Sequence, residues 1–167
     1  IWLANSTDLT NIKVVSVNSN LPQDFKLNKP QQFDEKVRNM DIDKLDSCIY
    51  ITNKKTDISK LSANYSKNFK VQEMNFNDIK AIGPNSVVVK NYIYSKQGNS
   101  TVLTKILLKD TAQIQKTYTL PKQVDGIFCA DGKMYFDKAS SRFFYMYFYR
   151  GEFLCLDTNL QVLYQAK

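Results

Sequence analysis

The chain has 167 residues, 43% hydrophobic and 13% aromatic, with a formal net charge of +7 and no histidine. That composition describes a globular chain long enough for a real core rather than a disordered one. The lack of histidine excludes His-based triads, His general bases and the usual zinc sites. No run approaches the roughly 18 apolar residues of a membrane span, so no transmembrane segment is expected. The positive charge does not point to nucleic acid: the lysines are scattered, and only Arg38, Arg142 and Arg150 offer a bidentate guanidinium.

Strands dominate the reading in chain order. Ile1 to Asn5 and Asn11 to Asn18 read as strands, with a turn at Ser6-Thr7-Asp8. A short strand-like Asp24 to Leu27 follows, and residues 33–40 fit either a helical turn or a strand. Cys48 to Asn53 is a strand, Ile58 to Lys67 is left open, and Asn68 to Phe76 alternates well enough for another. Pro84-Asn85 is a turn before Ser86 to Lys90, and Gln97-Gly98-Asn99 separates Tyr92-Ile93-Tyr94 from Thr101 to Leu108. Lys109-Asp110-Thr111 turns the chain into Gln113 to Leu120. Lys133 to Asp137, Phe143 to Tyr149, Glu152 to Leu156 and Leu160 to Ala166 then form four short antiparallel strands. Arg150-Gly151 sits where a two-residue hairpin turn would, with Gly151 free to take a positive φ.

On the strand Phe143 to Tyr149, Phe144, Met146 and Phe148 share one face, while Phe143, Tyr145, Tyr147 and Tyr149 share the other. Both faces are apolar, which predicts cover on both sides and places Met146 and Phe148 in the core. Cys48, Cys129 and Cys155 have no C-x-x-C spacing. Three buried thiols are favoured over a Cys129–Cys155 disulfide, with Cys129 and Cys155 in apolar strands.

A repeat runs through the chain. Asp110-Thr111 and Asp157-Thr158 each link two apolar strands, 47 residues apart. Ile1-Trp2-Leu3-Ala4-Asn5 resembles Ile49-Tyr50-Ile51-Thr52-Asn53. Gly83-Pro84-Asn85 before Val87 parallels Asp131-Gly132 before Met134. Repeats at about 1–48, 49–86, 87–133 and 134–167 follow. Four antiparallel strands per 40–50 residues mark a β-propeller blade. An all-β fold of four such blades is expected, as part of a larger propeller. The alternative is a β-sandwich of eight or more strands in which the repeat is chance. The chain opens on Ile1-Trp2-Leu3, which suggests that an upstream segment was removed or that these residues are a piece of something longer.

The stretch Gln123-Val124-Asp125-Gly126-Ile127-Phe128, then Asp131-Gly132-Lys133-Met134, Phe144 to Arg150, and Leu156-Asp157-Thr158-Asn159-Leu160 resembles exported, periplasmic propeller-like proteins of Bacteroidota, of the six-bladed type. These carry a DG-x-F-x-x-DG-x-x-x-(Y/F) stretch, then a YxYYRN-x-(F/Y) strand and a D-(T/A)-NL turn. Ile1 to Thr7 resembles an early blade of the same group, with Ala4 in place of a Gly, and Gly151 stands where Asn is usual. The resemblance implies export to the periplasm or cell envelope, and the fold. It carries no catalytic residues to transfer.

Three roles compete for the chemistry. As a binding module, Tyr145, Tyr147, Tyr149 and Arg150 offer stacking surfaces and a cationic donor. The plainer alternative packs the tyrosines between blades and leaves Arg150 in a hairpin turn. As a carbohydrate-active or other hydrolytic enzyme, the chain has Asp125, Asp131, Asp137 and Glu152 as acids, but Asp125 and Asp131 sit where turn chemistry alone wants Asp. No G-x-S-x-G, P-loop or Rossmann pattern appears. As a structural subunit of an envelope assembly, an incomplete ring exposes an apolar blade face that needs a partner. The expectation is a non-catalytic binding or scaffold module of an exported protein. It has no cofactor or metal, and it engages a protein partner or remaining blades rather than nucleic acid. Asn5-Ser6-Thr7, Asn64-Tyr65-Ser66 and Asn99-Ser100-Thr101 match the glycosylation pattern, as an Asn-rich chain does by chance.

Overall fold

The computed structural model describes residues 2–4, 11–14, 23–26, 41–52, 56–62, 65–71, 74, 76–94, 96, 98–122 and 128–167, with side-chain surroundings given from Asp43 onward. Asp125, the undecided segment 33–40 and the Ser6-Thr7-Asp8 turn lie outside the described residues.

The chain is all-β. Its strands are β1 (Trp2–Ala4), β2 (Asn11–Val14), β3 (Gln23–Lys26), β4 (Asp41–Leu45), β5 (Cys48–Thr52), β6 (Asp57–Ser62), β7 (Tyr65–Lys70), β8 (Phe76–Gly83), β9 (Ser86–Ile93), β10 (Ser100–Leu108), β11 (Ala112–Thr119), β12 (Gly132–Asp137), β13 (Arg142–Tyr147), β14 (Phe153–Leu156) and β15 (Val162–Ala166). They form a three-stranded sheet, β1-β2-β3, and three four-stranded antiparallel meanders: β4 to β7, β8 to β11 and β12 to β15. We call these the first to fourth sheets.

The Asp110-Thr111 and Asp157-Thr158 turns occupy the same place, the last hairpin of the third and fourth sheets. The other repeat marks fall differently. Ile49 and Val87 lie on second strands, whereas Met134 lies on a first strand. The Gly83-Pro84-Asn85 turn therefore matches the loop after β12, not Asp131-Gly132. Two first strands, β4 and β8, escape the sequence reading. The expected strand Asn68 to Phe76 is really the end of β7 and the start of β8, where the chain crosses between sheets. Cys129 sits in a short 3-10 turn (Phe128–Ala130), not a strand, and no disulfide joins the three cysteines, of which Cys129 and Cys155 are buried and Cys48 half-buried.

Packing runs from sheet to sheet. β8 lies against β4 on one side and β12 on the other. Between the second and third sheets, Tyr50, Ile58 and Phe69 meet Ile79, Val87, Val89 and Ile106. Between the third and fourth, Ile82, Val88 and Leu103 meet Met134, Phe143, Tyr145, Leu154 and Leu156. The strands β8 to β10 of the third sheet are thus apolar on both faces, as the alternation in Val87, Val88 and Val89 requires, while β11 is largely exposed.

Among the described residues the fourth sheet is covered on one face only, which corrects the expectation for β13. Phe143 and Tyr145 are fully buried, but Met146 is 56% exposed and Phe148 57% exposed. Phe148 lies beyond the strand, in a loop from Phe148 to Glu152 that is longer than the expected two-residue turn. That loop is closed by Tyr147 N–H donating to the Glu152 carbonyl (3.0 Å), and Gly151 has φ of 61°. Gly132 matters for a different reason from the turn expected at Asp131-Gly132. A Cβ there would meet the Met146 carbonyl oxygen at 2.2 Å and Tyr145 Cε1 at 2.8 Å.

Two predictions follow from this packing. In urea unfolding, Phe143→Ala is expected to cost about 3–5 kcal/mol, while Met146→Asp stays within about 1 kcal/mol of the parent. Equal losses for the two would mean that both faces of β13 are buried. Gly132→Ala is expected to cost about 3 kcal/mol, because backbone rather than a pliable side chain blocks the methyl. A parent-like melting curve would contradict that close approach.

Candidate functional site

The four residues singled out for binding do not form one surface. Tyr145 is wholly inside, its hydroxyl donating to the Ala130 carbonyl at 2.7 Å. Tyr147 is buried edge-on to Tyr145, with ring centroids 5.1 Å apart. The Arg150 guanidinium stacks over the Tyr147 ring at 4.5 Å, and its Nη2 donates to the Pro121 carbonyl at 2.8 Å. Arg150 therefore ties the fourth sheet to the segment that leaves the third. Only Tyr149 is open, 70% exposed and edge-on to Phe128 and Phe148. The alternation that put all four tyrosine-face side chains together ends with β13 at Tyr147, so Tyr149 follows the loop instead.

Burial decides the chemistry of these phenols. It raises the Tyr147 hydroxyl to about 12, with the Arg150 cation opposing it. It pushes Tyr145 and Tyr50 higher still, the Asp131 carboxylate adding to the effect at Tyr145. Tyr50 is held by its own hydroxyl, which donates to the Pro84 carbonyl at 2.7 Å across the second-to-third sheet interface.

The candidate acids hold structure in place. Asp131 accepts from Lys90 Nζ at 3.1 Å and from the Gly132 N–H at 2.9 Å, while Lys90 Nζ also reaches the Gly132 carbonyl at 2.8 Å. Asp137 caps the turn after β12: Ser140 Oγ, Ala139 N–H and Ser140 N–H all donate to it. The Ser140 hydroxyl bond leads in lowering its pKa. Glu152 pairs with Lys167 at 3.0 Å and accepts from Gln165 Nε2 at 3.0 Å, and the Lys167 bond lowers its pKa.

Two further acids, not singled out from sequence, join first strands. Asp43 on β4 accepts from Lys80 Nζ and from the Ala81 N–H on β8, both at 2.7 Å. Asp78 on β8 lies 3.6 Å from Lys133 Nζ on β12. Each of these two acids faces a lysine of the sheet that follows.

The feature that sequence reading missed is on the uncovered face of the fourth sheet. Tyr135 (β12), Phe144 (β13), Phe153 (β14) and Tyr164 (β15) form a row across all four strands, with successive ring centroids 6.4, 6.3 and 6.0 Å apart. The register pairs Tyr135 with Phe144, and places Phe153 and Tyr164 on diagonals. Met146 stands beside the row. A signal was present: the four aromatics are spaced by nine, nine and eleven residues, the length of a strand plus its turn. Tyr135, Met146 and Tyr164 are exposed, and Phe144 and Phe153 half-buried.

No protein-family model matches the chain, and a search of curated proteins finds no match either. Among the described residues, no helix is long and apolar enough to cross a membrane.

Two tests bear on these assignments. Asp131→Asn is expected to cost about 1.5–3 kcal/mol, since the buried Lys90 ammonium loses its charged partner. A loss of enzymatic turnover with stability unchanged would contradict the structural role. The buried tyrosines give a pH dependence of definite sign. Unfolded tyrosines ionise near 10, below their folded values, so stability is complete under about pH 10 and falls as the pH rises toward 12. The exposed tyrosines ionise first, and the remaining tyrosinate absorbance should rise together with loss of strand signal in circular dichroism. Early ionisation of all ten tyrosines in a folded chain would contradict the burial.

Proposed function

We propose that the sheets are blades of a β-propeller and that the protein is a non-catalytic binding or scaffold module of an exported protein. The observation that carries this reading is the row Tyr135–Phe144–Phe153–Tyr164 on a sheet face with no neighbour among the described residues. An aromatic face of this kind is where a protein surface seeks a partner. The propeller reading draws support from the succession of meanders, in which β4, β8 and β12, all first strands, lie side by side. A two-sheet sandwich would need one interface, whereas three sheets here stack through two. The exported location rests on the resemblance of residues 123–165 to exported propeller-like proteins. Against hydrolysis stand Asp131, Asp137 and Glu152, each engaged by neighbouring donors.

Hydroxyl-radical footprinting tests the reading. In the natural assembly, Tyr135, Met146 and Tyr164 are expected to be labelled several-fold less than in the isolated 167-residue chain. Equal labelling in both would mean that this face has no partner, and the reading falls.

A further inference from the structure

The two sheet interfaces among the described residues share a rule that extends to the open face. Counting pairs from the first hairpin of each meander, Tyr50, Val88 and Phe144 all occupy the third pair, opposite Asp43, Lys80 and Tyr135. Tyr50 points into the third sheet and Val88 into the fourth. Phe144 is the next in that series, and it points to the uncovered side.

The chemistry of the two interfaces is also consistent. The second sheet offers Tyr50 and Phe69, and the third sheet meets them with Ile79, Val87, Val89, Ile106 and Leu108. The third sheet offers Ile82, Val88 and Leu103, and the fourth meets them with Phe143, Tyr145 and Tyr147. In both, most of the large buried rings lie on one sheet and most of the branched aliphatics on the other, with Phe76 (β8) and the half-buried Tyr118 (β11) adding aromatic surface at the margins of the third sheet. Two flat aromatic faces would leave gaps that the smaller, branched side chains fill.

We propose that the free face of the fourth sheet docks a further four-stranded antiparallel sheet whose contacting face is branched-aliphatic, like the face the third sheet turns toward the second. The occupant lays Val, Ile or Leu at alternate positions of its inner strands against Phe144, Met146 and Phe153. The charged latch changes at this interface. Tyr135 stands at the register position that Asp43 has in β4. Asp43 requires a lysine and a backbone N–H from the next sheet, whereas a neutral phenol at that place requires neither charge. The occupant's first strand therefore needs no lysine opposite Tyr135. The inference rests on reading this face as the interaction surface, and it adds the identity of what sits there.

The test uses photo-crosslinking in the natural host. The probe is p-benzoylphenylalanine placed at Met146, a position that tolerates change because it is exposed, and the crosslinked peptide is identified by mass spectrometry. The expected product is a segment with Val, Ile or Leu at alternate positions, flanked by turn residues. A crosslink to Tyr135, Phe153 or Tyr164 of a second copy would overturn the proposal in favour of a face-to-face dimer. A crosslink to a helix, or to lipid, would also overturn it. Both of those results leave the footprint protected and the interaction surface intact, whereas loss of crosslink and protection together removes the surface itself. A second probe at Tyr164 guards against a local misfit at Met146: capture of the same segment from both sites is expected, and unrelated segments would count against a single docked sheet.

Discussion

The stacking of the described sheets leans on a strand that has no wet face, β9. Val87, Val88 and Val89 are all fully buried, and their side chains alternate between two interfaces. A strand with both faces apolar cannot be satisfied by one neighbour. It fixes a sheet in front and a sheet behind, and so it sets the stacking order of the second, third and fourth sheets. Burial of this sort is non-directional, so it brings the sheets together without specifying their angle or offset.

The offset comes from polar contacts at the edges of those interfaces. Asp43 reaching Lys80 and the Ala81 N–H, Asp78 facing Lys133, and Lys90 bridging Asp131 and the Gly132 carbonyl all join one sheet to the next. Tyr50 and Arg150 do the same with backbone carbonyls. A buried charge whose partner slips away is costly, so these contacts penalise any shift in how the sheets sit. The same logic accounts for the candidate acids. Carboxylates held by lysines and backbone N–H groups serve placement, and under the binding-module reading the aromatic row is what remains for recognition. Under the propeller reading, each blade carries the means to seat the next, and the fourth sheet presents its seat empty-handed of charge, through Tyr135 and Phe144.

The errors of the sequence reading have a common cause. β4 and β8 were passed over because Asp41, Asp43, Asp78 and Lys80 interrupt the apolar alternation that marks a strand. Asp43, Asp78 and Lys80 answer to charges on other sheets, and no local pattern contains that information. β13 failed in the opposite way. Its apolar run is real on both faces, yet Met146 is exposed while Tyr145 is sealed. An alternating strand has two faces, and hydrophobicity alone does not choose which of them meets a neighbour. The binding set Tyr145, Tyr147, Tyr149 and Arg150 joins one face of one strand to the turn that follows it, and it divides between core, clamp and loop. The row Tyr135–Phe144–Phe153–Tyr164 draws one residue from each of four strands, so it becomes a surface only once the meander has formed.

By itself the sequence determined that the chain is all-β, that its last fifth is a four-stranded meander, and that the Asp110-Thr111 and Asp157-Thr158 turns repeat one another. These follow from local causes: period-two alternation, β-branched and aromatic content, and Asp and Asn turn chemistry. Only the tertiary structure decided which face of the fourth sheet is core, where each meander begins, why Gly132 must lack a side chain, and what the acids do. Those outcomes depend on atoms brought close from residues distant in the chain, such as Gly132 with Met146, Tyr50 with Gly83 and Lys90 with Gly132. Their energy is set by burial and pairing between sheets, which a linear pattern does not encode.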